Sequence, residues 1–175
     1  MYAGHAALAT LAKGARPRLP LWLLVPVAFA PDWIQWLMEA AGHSNPEYSH
    51  SLLSVGAGAS IVALGYFAVT RQRGDALAVW LLYLSHWAAD FITGSKPTWP
   101  GGPTVGLGLY GHPVWDCVVE CAVIVVAWFA YRRSFGPAIR RRIGVALVPL
   151  GLIALQVGFE LIQTPDIRAA VRELP

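Results

Sequence analysis

Five long apolar stretches constrain this chain more than anything else in it. They run from Leu19 to Met38, Ser51 to Thr70, Ala76 to Ile92, Pro113 to Tyr131 and Ile143 to Ile162. Each is about 17–20 residues, the length that carries a helix across a hydrocarbon core of about 30 Å. A backbone inside lipid must satisfy its own polar groups, so only helices and closed barrels can span. Continuous apolar runs lack the alternation of barrel strands, which leaves helices. The composition agrees: 56% hydrophobic, 13% charged, with a mean hydropathy of +0.51. The expected fold is all-α, a polytopic membrane helical bundle of about five transmembrane helices preceded by a short N-terminal helix. Residues 1–175 form one integral-membrane domain.

Lys and Arg set the expected orientation. Lys13, Arg16 and Arg18 precede the first stretch, Arg71 and Arg73 follow the second, and Arg132, Arg133, Arg140, Arg141 and Arg142 follow the fourth. The opposite loops carry Lys96 and little else basic. By the positive-inside rule the N-terminus is cytoplasmic and the C-terminal tail faces out, in a multi-pass protein of the cell inner (cytoplasmic) membrane. Trp22, Trp36, Trp99 and Trp115 fall near span ends, as an interfacial belt requires. So little chain is exposed that nothing argues for nucleic-acid binding. Met1 to Thr10 lacks the basic start of a cleavable signal. Cys117 and Cys121, one helical turn apart, suit packing better than a disulfide.

Ionisable side chains inside such stretches are costly, and each is a functional-site hypothesis. They are His5, Asp32, His50, the pair His86 and Asp90, and the run His112, Asp116, Glu120. His86 and Asp90 stand four apart and so share a helix face. His112, Asp116 and Glu120 form a second stripe, with Pro113 suited to the first turn beneath them. Gln156, Glu160 and Gln163 mark a third. At 1.5 Å per residue, His86 and Asp90 lie roughly 16 and 22 Å above Asp75, and Asp32 roughly 20 Å above Arg18. His50 and His112 reach the same outer half of the bundle. Neighbouring carboxylates repel, and a bound cation neutralises them most simply. Imidazole with carboxylate suits zinc, and manganese or iron nearly as well.

His5 joins these positions only if Gly14-Ala15-Arg16-Pro17-Arg18 reverses the chain. Residues 2–13 then form a re-entrant helix antiparallel to the first span. Plainer roles compete at several positions. His50 beside Ser49 and Ser51 suits a helix cap, Asp32 after Pro31 suits a cap at a helix break, and Asp116 suits a solvated interface. His43, in the outer loop, reads as a surface residue. The outer loop 94–111, GSKPTWPGGPTVGLGLYG, is expected to lack regular structure and to act as a lid. In it Lys96 would face a substrate phosphate, with His112 beside it as a second substrate-binding residue.

Several short motifs, in this order and spacing, resemble the YdjM-like family of inner-membrane metal-dependent hydrolases. They are the N-terminal GHAALA, Pro31-Asp32 after an apolar run, Tyr48-Ser49-His50-Ser51-Leu52-Leu53, and Leu84-Ser85-His86 with Asp90. The resemblance extends to about residue 120, and its pattern is similar to that of zinc-dependent phospholipase C enzymes. It implies His5, Asp32, His50, His86 and Asp90 as metal ligands and hydrolysis as the reaction. The family pattern expects a further His after the SHxxxD element, where this chain has Gly94, which puts a full second metal site and activity in question. Asp116 or Glu120 would serve as general base. A site in the outer half of the bilayer would take a lipid or lipid-linked ester. The alternative expectation is a non-catalytic metal-containing structural or accessory subunit, held against a membrane-protein partner or a second copy.

Overall fold

The computed structural model describes residues 3–135 and 143–163, with the side chains of the last helix described from 147 to 162. Arg140, Arg141, Arg142, the side chain of Gln163 and the C-terminal tail lie outside the described residues. The described chain is a helical bundle: α1 (Ala3–Ala15), α2 (Leu21–Ala28), α3 (Ala30–Ala40), a single turn α4 (Glu47–His50), α5 (Leu52–Thr70), α6 (Arg73–Thr93), α7 (Pro113–Arg133) and α8 (Ile143–Gln163). Three of these, α5, α6 and α7, are long and apolar enough to cross a membrane. The bent pair α2–α3 brings the number to four if it counts as one span, and Leu147–Ile162 of α8 is a shorter apolar helix. Large side chains such as Ile61, Leu64 and Val126 stand exposed around the outside. That surface matches lipid rather than water.

The expected reversal after the first helix is present. Lys13 Nζ donates to the Pro17 and Leu19 carbonyls at 2.6 and 2.9 Å and ties the turn to the end of α1. At the other end of α1, His5 meets the ring of Phe29, which caps α2, so the two helices run antiparallel. α1 is built almost entirely of small residues, and this allows it to lie close against α7. A Cβ placed on Gly14 would stand 2.4 Å from the carbonyl carbon of Ala130. Ala3 and Ala7 pack with Ile124 and Ala127 in the same seam. Small residues at helix contacts let backbones approach, the usual device where lipid removes the hydrophobic drive for association.

The first expected span is not one straight helix. α2 and α3 meet at a 60° bend, with Pro26 inside α2 and Pro31 opening α3. Proline removes a donor and clashes with the preceding turn, which breaks the helix at Phe29. Beyond the bend, α3 exposes Trp33, Trp36 and Leu37, the pattern of a helix lying along an interface. α5 begins at Ser51, whose hydroxyl accepts from the Ser54 backbone N–H as an N-cap. α5 and α6 pack with Tyr83 under Gly58, where a Cβ would touch the phenol oxygen at 2.4 Å.

The segment 94–111 is also more ordered than expected. Strands β1 (Lys96–Pro97) and β2 (Thr104–Val105) pair antiparallel, Lys96 opposite Val105, and a 3₁₀ turn follows at Leu109–Gly111. Gly101 N donates to Glu47 Oε2 at 2.7 Å and Leu53 N to the Thr98 carbonyl at 3.0 Å, which tether the hairpin to α4 and α5. Gly106 lies so close to Gly94 that a Cβ would strike its carbonyl oxygen. The hairpin therefore sits over the end of α6 that carries Asp90.

The tightness of the α1–α7 seam has a measurable consequence. Gly14→Ala should lower stability by about 1–3 kcal/mol, the usual cost of overpacking, seen as a lower unfolding temperature in detergent. Gly65→Ala, where a Cβ meets nothing within 4 Å, should be nearly neutral. Equal effects of the two would show that the seam is not close-packed.

Candidate metal centre

Four elements bring five side chains to one place. The turn at Pro31 sets Asp32 at the start of α3, α4 carries His50, α6 carries His86 and Asp90 on successive turns, and the reversed α1 carries His5. His5 Nε2 lies 3.3 Å from Asp90 Oδ1, and His50 Nε2 lies 3.1 Å from Asp32 Oδ1. His86 Nε2 faces both carboxylates, 3.6 Å from Asp32 Oδ1 and 3.5 Å from Asp90 Oδ2. The donor atoms of His5, Asp32 and His86 lie within 4.8 Å of one another, and so do those of His50, His86 and Asp90. Buried His and Asp in this arrangement could hold a metal ion.

The hydrogen bonds behind the rings decide which nitrogens face the centre. His86 Nδ1 lies 2.9 Å from the carbonyl of Ala28, at the α2–α3 break. A carbonyl only accepts, so Nδ1 carries the proton. In the neutral ring Nε2 is then a bare lone pair, and it is buried without a hydrogen bond. His50 is fixed by a longer chain. Gln35 Nε2 donates to Glu39 Oε1 at 2.7 Å, which turns Gln35 Oε1 toward Ser49. The single Ser49 proton goes to that oxygen at 2.6 Å. Ser49 Oγ, 2.7 Å from His50 Nδ1, therefore accepts from the ring. His50 Nε2 is left bare against Asp32 Oδ1.

Two nitrogen lone pairs thus face carboxylate oxygens with no proton between them. A buried acceptor left this way, as His86 Nε2 is, costs about 1–3 kcal/mol, and a cation at the centre relieves it and draws in His50 Nε2 as well. His5 and His86 stack at 3.9 Å with planes 7° apart, which holds the third imidazole against the same centre. A carbonyl or hydroxyl that orients the far nitrogen of a ligating His is the usual outer support of a metal site.

Lys96 reaches the same centre from the hairpin, its Nζ 2.9 Å from Asp90 Oδ2. The site opens on a cavity of about 540 Å³, and of its two carboxylates Asp32 is the more exposed, at 46% against 7% for Asp90. Leu152, Leu155 and Phe159 of α8 supply an apolar wall, and Tyr110 closes another side.

Of the residues marked in the sequence, His5, Asp32, His50, His86, Asp90 and Lys96 are brought together. The remaining three are not. His112 is exposed at the start of α7 and does not line the cavity. Asp116 and Glu120, expected as general base, are buried in a separate group with Glu160 and face away from it. The cause is the close α1–α7 seam: Gly4 N donates to Glu120 Oε2 at 3.0 Å, so the stripe of α7 turns to the N-terminus of α1. The sequence reading missed Gln35 and the Ala28 carbonyl. The i, i+4 spacing of Gln35 and Glu39 was the one available signal for the first, and nothing in the sequence marks a backbone carbonyl. Compared with known proteins, the chain matches no family model, no curated protein and no solved structure.

The orienting chain behind His50 can be tested directly. Ser49→Ala should weaken divalent-metal binding about 10–100-fold, as loss of an outer hydrogen bond usually does, measured by competition with a chelating dye. Ser85→Ala is the control: its hydroxyl bonds only the Leu82 carbonyl, and affinity should not change. An unaltered affinity in Ser49→Ala would mean that His50 is not a ligand.

Proposed function

We propose that the protein is a membrane-embedded, metal-dependent hydrolase acting on an amphiphilic ester, a lipid or lipid-linked phosphoester foremost. The observation that carries this reading is the pair of Nε2 atoms on His50 and His86, turned onto Asp32 and Asp90 beside a largely apolar cavity. His5, Asp32, His50, His86 and Asp90 would hold a divalent ion, zinc best matching the donor set and manganese or iron following. Such an ion supplies a Lewis acid and lowers the pKa of a bound water toward about 7. The proposal accords with the resemblance to the YdjM-like family.

The chain's own residues divide the remaining work. Ser49 and the Ala28 carbonyl hold the imidazoles in the ligating tautomer. Lys96, a cation on the hairpin and 2.9 Å from Asp90, is placed to receive an anionic phosphoryl oxygen entering from the cavity. The wall of Leu152, Leu155 and Phe159 suits an acyl or prenyl chain, and Tyr110 lines the same cavity. Asp32 is the carboxylate ligand open to the cavity, so a water or substrate oxygen entering there would meet the ion beside it. An exposed ligand edge also favours catalysis over a closed structural site. The basic ends of the helices support a cytoplasmic N-terminus in the inner membrane, with the site toward the outer side.

Detergent-purified protein should carry near-stoichiometric zinc or manganese and should hydrolyse a member of a phospholipid and polyprenyl-phosphate panel. His86→Ala and Asp90→Ala should lose both metal and turnover. Folded wild-type protein that takes up no divalent ion would sink the proposal. Metal-loaded protein that cleaves nothing would leave a structural centre in an accessory subunit.

A further inference from the structure

The second carboxyl group is not accounted for by that function. Asp116 and Glu120 of α7 and Glu160 of α8 place carboxylate oxygens within 4.8 Å of one another. Asp116 and Glu120 are fully buried, as is Gln156 beside them. The donors among the described residues are few. Gly4 N serves Glu120 Oε2 at 3.0 Å, Ala3 N serves Gln156 Oε1 at 3.2 Å, and Gln156 Nε2 serves Glu160 Oε1 at 2.9 Å. Asp116 has both oxygens buried in the cluster, and neither finds a hydrogen-bond donor among the described residues.

Charge makes the same point. Carboxylates held this close repel one another when ionised, and the first turn of α1 reaches only Glu120, through Gly4 N. The all-oxygen donor set differs from the imidazole-rich centre on the other side of α1 and selects a different class of ion.

We propose that Asp116, Glu120 and Glu160 form a second cation site, taking a hard divalent ion of the magnesium or manganese type. The ion joins α7 to α8 and, through Gly4, fixes the first turn of α1. His5 follows Gly4 directly, so the second site holds a ligand of the first in place without touching it. The competing account is that the carboxyl groups share protons and hold no ion.

Manganese alone is the probe, added to full-length protein in detergent. A His86→Ala, Asp90→Ala double variant should still bind one Mn(II), and its electron spin-echo spectrum should show no nitrogen coupling. Adding Asp116→Asn should weaken that binding at least about tenfold, since affinity for such ions follows the carboxylate count. No manganese bound in the double variant would overturn the second site whether or not the first exists. Unchanged manganese binding with Asp116→Asn would overturn the assignment to these carboxylates, and that variant gaining thermal stability in protein that binds no manganese would show shared protons instead. If the triple variant fails to fold, wild-type protein decides: two manganese signals, one nitrogen-coupled and one not, support the site. A nitrogen-coupled signal alone excludes it.

Discussion

Two imidazole nitrogens of neutral rings face two carboxylates, and the rest of the structure is arranged around that confrontation. The Ala28 carbonyl and the Ser49 hydroxyl take the far protons of His86 and His50, so the near nitrogens can only accept. In water such a meeting would be screened. Between apolar helices it persists as a cost, and a cation at the centre turns the cost into attraction. The fold supplies each part through a distinct local irregularity. A helix break frees a carbonyl, a single turn presents His50, a reversal brings His5 back, and a hairpin delivers Lys96.

The irregularities have chemical causes that are local. Pro26 and Pro31 bend the α2–α3 pair by 60°, and the bend puts Asp32 beside His86. Small residues along α1 allow it to sink against α7 until Gly14 meets the backbone of Ala130. This closeness sorts the polar residues into two groups, one on each side of the first turn of α1. His5 joins the imidazole centre and Gly4 caps Glu120. A bundle of larger residues would hold these groups apart.

Much of this was legible in the sequence. The lengths of the apolar runs gave helices, and counting 1.5 Å per residue placed Asp32, His50, His86 and Asp90 at one depth. The i, i+4 spacing of His86 and Asp90 put both on one face, and the Gly-Arg-Pro turn allowed the reversal that brings in His5. What stayed hidden depends on contacts between distant segments. Hydropathy over a window averages across Phe29, so the first stretch read as one span even though Pro31-Asp32 allowed a helix break. Gly and Pro in 94–111 signal turns without revealing that Lys96 pairs with Val105 across a hairpin. The stripe of Asp116 and Glu120 was correctly seen as a stripe, but its direction follows from which helix α7 packs against.

Zinc-edge X-ray absorption on the detergent-purified full chain tests the central claim most directly. The account predicts a shell of nitrogen and oxygen ligands at about 2.0–2.2 Å, with the outer scattering of at least two imidazoles that falls when His86 is replaced by Ala. An imidazole-free spectrum, or sulfur ligation from Cys117 and Cys121, would contradict it.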